Sequence, residues 1–163
     1  MKRKYLLFIA FTCTIFYACQ KKPEVGGTAT QSMANEWWVQ LFDPSGALVY
    51  PASYYGHIAT YNTSSNTDEI WVDDQNEIWN FKVKAKADLN ALTFTANKAV
   101  SVVDNYNIKV TITDGKIIPN VGHSKSGVLT DSIYMKIEFE DDPGTIYSLK
   151  GHARTRFAED DYH

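Results

Sequence analysis

A hydrolytic centre would be built from serines, histidines and carboxylates, and residues 122–127 bring one histidine and two serines together. Gly122-His123-Ser124-Lys125-Ser126-Gly127 approaches a nucleophile elbow, but Ser126 stands where Gly-x-Ser-x-Gly needs its second glycine. That motif also needs a strand leading in and a helix leading out, which hold the serine on a strained corner. Here the flanking pattern is strand on both sides, so a plain loop is expected. No serine lies three residues before a lysine, which removes a Ser-x-x-Lys nucleophile. His57, His123, His152 and His163 are far apart, and none forms a His-x-His or His-x-x-x-His pair of the kind that suggests zinc. The paired acids Asp73-Asp74, Asp141-Asp142 and Glu159-Asp160-Asp161 fall in expected loops or in the tail, where solvated charge is the ordinary reading. Residues 73–77 lack the glycine and spacing of a calcium loop, and no glycine-rich phosphate cradle is present. The expectation is therefore no catalytic residue, no metal ligand set and no cofactor.

One cysteine does carry a chemical signal. Lys2-Arg3-Lys4 is followed by an uncharged, mostly apolar run over residues 5–16 and then by Phe16-Tyr17-Ala18-Cys19. The run is too short to span a bilayer, which needs about 20 residues, but has the length and flanks of a secretory h-region. A small residue before a cysteine at its end resembles a bacterial lipobox, in which the chain is cleaved before the cysteine and the thiol carries diacylglycerol. Cys19 is the expected lipidation site, residues 1–18 the signal peptide, and residues 19–32, with Pro23 and Gly26-Gly27, the tether. Cleavage removes three basic residues and no acid, so the net charge of −3 becomes −6, with 13 basic and 19 acidic residues remaining. Such a balance excludes a nucleic-acid binder driven by charge. With Cys19 lipidated no disulfide is available, and residues 33–163 must fold on their hydrophobic core alone.

The elements that would position any site read as strands. Ile133, Met135, Ile137 and Phe139 alternate with Tyr134, Lys136, Glu138 and Glu140, and a second run follows over residues 145–157. Asp141-Asp142-Pro143-Gly144 between them signals a hairpin turn. Residues 106–113 alternate equally well, and Asp114-Gly115 predicts a turn into a further strand over 116–121. Trp79, Phe81, Val83 and Ala85 alternate with Asn80, Lys82, Lys84 and Lys86. Shorter candidates lie at 36–42, 56–63, 69–72, 92–96 and 99–103, and a helical turn is expected over 32–36. Eight to ten strands at 8–12-residue spacing predict an all-β antiparallel fold, and the long C-terminal meander favours an up-and-down barrel.

A lipoprotein signal, an Asn35-Glu36-Trp37-Trp38 strand and a final Gly151-His152-Ala153-Arg154-Thr155-Arg156-Phe157 together resemble the small Bacteroidetes lipoproteins of the lipid-binding putative hydrolase family, which are similar to calycins, the lipocalin-like barrels. The resemblance implies a lipocalin-like barrel at the cell envelope, held in the membrane through diacylglycerol on Cys19. Gln20 follows that cysteine in place of an aspartate, which favours the outer membrane. It also implies that Trp37 or Trp38 packs at the closed end beside Arg154 or Arg156. The alternative for these arginines and His152 is a polar outer strand face.

An eight-stranded barrel is just wide enough inside for one small ligand. The residues expected to face inward include Tyr61, Trp79, Phe81, Tyr106, Ile108, Met135, Phe139 and Tyr147. They would line a pocket for a lipid or other apolar ligand, or else fill a dry core. A third reading uses Tyr54, Tyr55 and Trp71 as exposed aromatics that hold sugar rings or a surface partner. Hydrolysis enters only through the family's description.

Overall fold

The computed structural model describes residues 26–50 and 54–162, so the signal, Cys19 and the first residues of the tether lie outside the described residues. Nine strands form one antiparallel sheet: β1 (Asn35–Phe42), β2 (Leu48–Tyr50), β3 (Gly56–Asn62), β4 (Glu69–Asp73), β5 (Lys82–Asp88), β6 (Thr93–Val100), β7 (Lys109–His123), β8 (Leu129–Phe139) and β9 (Tyr147–Ala153). Each of β3 to β8 pairs with its successor, and β9 returns to β1 from Trp37↔Ala153 to Phe42↔Ser148. The sheet is thus closed, with no free edge in the eight-stranded ring. β2 is the extra strand. It pairs with Leu41 and Phe42 while β3 pairs with residues 35–39, and β9 holds the other edge of β1. β2 and β3 therefore share one edge of β1, interrupted by the connection that carries Tyr54 and Tyr55.

Alternation sets which face is inside. Val83, Ala85 and Ala87 on β5 and Ile133, Met135, Ile137 and Phe139 on β8 are buried, while their intervening neighbours are not. Ile58, Ile70, Val72, Val83, Val110, Ile112, Ile133, Met135, Ile137, Phe139 and Leu149 are all 0% exposed, so no water-sized void adjoins them. Both ends are plugged. At one end Trp79 stacks on Phe139 at 4.3 Å and 2° between planes, with Phe81 and Tyr147 against the same ring. At the other, a 3₁₀ turn (Gln31–Met33) puts Met33 into the core. Trp37 Nε1–H donates to Thr60 Oγ1 (2.8 Å), which donates to the Met33 carbonyl (2.5 Å).

The fold class agrees with the sequence reading, and several local expectations do not. Asp114-Gly115 is not a turn: β7 runs through it. Thr113 pairs with Lys136 and Lys116 with Tyr134, so two residues on β7 oppose Met135 alone, which is a β-bulge. Asp114 takes φ +52°, and a Cβ on Gly115 would stand 2.4 Å from the Phe94 carbonyl oxygen. A bulge and a hairpin turn ask for the same residue types, which is why the dipeptide misled. Residues 92–96 and 99–103 are not two strands but belong largely to β6, whose register with β7 shifts between Phe94 and Ala99. β5 starts at Lys82, leaving Trp79 and Phe81 in the closing loop, and the last strand ends at Ala153 rather than 157. The helical turn falls at Gln31–Met33, slightly ahead of the expected 32–36.

Candidate functional site

The expected interior ligand site is not an open one. Phe81, Met135, Phe139 and Tyr147 do face inward but are buried against one another as core. Trp79 and Ile108 pack on that core from its margin. Tyr106 sits on the rim, where its hydroxyl and Trp79 Nε1–H both donate to the Asp141 carboxylate. Tyr61 is on the outer face, a correction to the inward placement. It is paired with Trp71 across β3 and β4, donates to Asp73 Oδ2 (2.5 Å) and lies under the Lys82 ammonium. Trp71 is similarly covered, with Lys84 Nζ 5.3 Å from its ring.

The loop at residues 122–127 is a latch. Ser124 and Ser126 hydroxyls lie 3.2 Å apart, and Asp160 accepts from the Ser126 backbone N–H (2.7 Å) and from Thr155 Oγ1 (2.7 Å). These bonds hold the Asp160 carboxyl down to about 2. Among the described residues neither serine hydroxyl bonds to a histidine.

A different site stands on the outside of the barrel, where three strands meet. Trp38 on β1 is opposite His57 on β3 and His152 on β9, so the register places an imidazole, an indole and an imidazole in one row. Outward residues normally face water, yet Trp38 is 8% and His152 5% exposed. The cover comes from two places. Tyr55, from the interrupted edge, lies 5.3 Å from the His152 ring, and Tyr162, from the C-terminal tail, lies 5.4 Å from Trp38 and 4.4 Å from Tyr55.

Ion pairs hold the tail in place. Arg154 donates through Nε and Nη2 to Asp161 (2.7 and 2.6 Å) and through Nη1 to Glu36 (3.0 Å), and its guanidinium lies 5.8 Å from the Trp38 ring. The expected tryptophan–arginine contact thus exists on the outer face, between Trp38 and Arg154. Trp37 is inside, and Arg156 is mostly exposed, 3.8 Å from Glu36.

Beside the row opens a groove of about 500 Å³ lined by Trp38, Tyr54, Tyr55, His57, Glu77, Arg154, Asp161 and Tyr162. Trp38 Nε1, His57 Nε2 and His152 Nε2 are buried with no hydrogen-bond partner, and the nearest carboxylate oxygen to His57, Glu36 Oε2, is 3.9 Å away. Burial pushes His152 below its usual value, so its ring is neutral near pH 7. Buried nitrogens without a partner are rare, and three in one row single out this face of the barrel among the described residues. The sequence named Tyr54, Tyr55, Trp38, His152 and Arg154 separately. It did not join them to His57, Tyr162 and Glu77, because only the cross-strand register and the fold-back of the tail do so.

A model of the lipid-binding putative hydrolase family matches residues 22–158. No curated protein matches the chain.

Proposed function

Since the chain belongs to the lipid-binding putative hydrolase family, we propose that it is a lipid-anchored protein of the bacterial cell envelope that binds a lipid or other apolar small ligand, on the outer aromatic groove rather than inside the barrel. The family and the closed barrel support ligand binding. The observation that carries the location is the contrast between a core at 0% exposure and an open groove walled by Trp38, Tyr54, Tyr55 and Tyr162. Aromatic walls with a few polar groups are the usual composition of a small-molecule site. Diacylglycerol on Cys19 would keep the groove close to its ligand, since acyl chains contribute about 0.8 kcal/mol per buried methylene.

Mass spectrometry of organic extracts, with titration of a fluorescent fatty acid, tests the reading. Co-purified lipid and saturable probe binding, weakened by Tyr54→Ala with Tyr55→Ala, are expected. Absence of both lipid and probe binding overturns it. The anchor is tested separately: Cys19→Ser should lose labelled palmitate and move from the detergent to the aqueous phase on Triton X-114 partition. An unchanged partition would remove Cys19 as the attachment point.

A further inference from the structure

Three facts about the groove restrict what completes it. Its walls are flat aromatic faces; Trp38 and His57 in its lining, and His152 beside the Tyr55 ring, each carry a buried nitrogen without a partner; and its lining carboxylates are Glu77 and Asp161, with Glu36 bonded to Arg154. An acyl chain would suit the walls and leave all three nitrogens unpaired. A phosphate or carboxylate would meet the carboxylates, and the lining's own cation, Arg154, is already shared between Glu36 and Asp161, while Lys125 Nζ lies 5.8 Å from the Tyr162 ring. A quaternary ammonium would stack on the rings but can accept nothing from Trp38 Nε1–H. A neutral ring with hydroxyls at its edge fits each feature: its face stacks on tyrosine, one hydroxyl oxygen accepts from Trp38, and other hydroxyls donate to or accept from the imidazoles.

We propose that this groove binds a hydroxylated sugar ring against Trp38 and His57, and that displacement of the Tyr55 ring lets the same sugar reach His152. Tyr55 is the displaceable cover of His152 because its ring contacts are with Tyr162 and His152 and neither is a hydrogen bond. The sugar is either free or the headgroup of a glycolipid; both present the same edge. The inference rests on placing the ligand in the outer groove but not on that ligand being apolar; a glycolipid would satisfy both readings.

The test is isothermal titration of the purified full chain with three probes: methyl glycosides of glucose, galactose and mannose; a monoglycosyl diacylglycerol in phosphatidylcholine vesicles; and a fatty acid. Saturable binding of at least one sugar probe is expected. It should weaken about tenfold in Trp38→Phe, which keeps an aromatic face but removes the N–H with the pyrrole part of the indole, and likewise in His57→Leu. Trp38→Phe removes an unpaired donor together with some packed ring surface, so its melting temperature should fall less than that of Trp37→Phe, and a native circular dichroism spectrum serves as the check on folding. Binding of methyl glycosides identifies a free saccharide as sufficient, and binding of the glycolipid alone identifies the headgroup; either supports the site. Fatty-acid binding with no response to any sugar probe overturns this inference while leaving the lipid-binding reading in place. Sugar binding that is unchanged in both variants also overturns it.

Discussion

One indole with its N–H satisfied and another with its N–H orphaned stand side by side at Trp37 and Trp38. Strand alternation sends Trp37 into the core, where its N–H begins a relay through Thr60 to the Met33 carbonyl. It sends Trp38 out under Tyr162. Trp37→Phe should leave the Thr60 hydroxyl without its donor and open space at the plugged end, at a cost of roughly 2–4 kcal/mol. Trp38→Phe should cost less than half as much. Urea midpoints compare the two directly, and equal losses would contradict the assignment. Gly151 is the residue-scale reason that β9 can close on β1: a Cβ there would stand 1.9 Å from the Trp38 carbonyl oxygen. Gly151→Ala should therefore destabilise by about 2–3 kcal/mol, because backbone must move rather than a side-chain tip. Gly26→Ala, with nothing within 4 Å, should leave the midpoint unchanged.

At the level of elements, the strands were legible because a barrel wall is buried on one side only, which writes a period of two into β5, β8 and β9. The connections were not, since residue types that permit positive φ serve turns and bulges alike. Asp114-Gly115 is one case and the loop after β4 another. Asp74 looked like half of a solvated acid pair, yet it is 0% exposed and its carboxylate accepts the backbone N–H groups of Ile78, Trp79 and Asn80. The loop it ties down carries Trp79 onto Phe139. Asp74→Ala should leave these donors unpaired and cost on the order of 3 kcal/mol, and Asp74→Asn, which keeps an acceptor, should cost less. Burial pushes the Asp74 carboxyl up to about 6, above 3.8, so between those values the folded chain holds a proton that the unfolded chain lacks. Its contribution to stability should accordingly fall as pH rises from about 4 to 6. Subtracting the pH profile of Asp74→Asn from that of the parent isolates this change, and a difference of the opposite sign would mean that the backbone N–H groups outweigh burial.

For the whole molecule, the outer site exists only while the C-terminal tail lies across three strands. No sequence pattern announces that arrangement, because it depends on pairs far apart in the chain, such as Arg154 with Glu36 and Ser126 with Asp160. The tail is held by acids, and acid should release it. The Asp160 carboxyl is held to about 2 against an ordinary 3.8 by hydrogen bonds from Thr155 and Ser126, so its stabilisation is complete above about pH 4 and is lost as pH falls through about 2. His152 adds a second acid-sensitive group at a higher pH. It is buried neutral, and with its folded value lowered from 6.5, protonation on acidification works against the covered state. Lifting Tyr162 off Trp38 would expose an indole without unfolding the barrel, whose core contains no titrating side chain from the tail. Tryptophan emission should therefore shift to longer wavelength at a pH where far-ultraviolet circular dichroism is still native. Asp160→Ala should produce the same shift at neutral pH and speed hydrogen exchange at the Ser126 amide. Coincident fluorescence and circular dichroism transitions in the parent would instead make tail and barrel one cooperative unit.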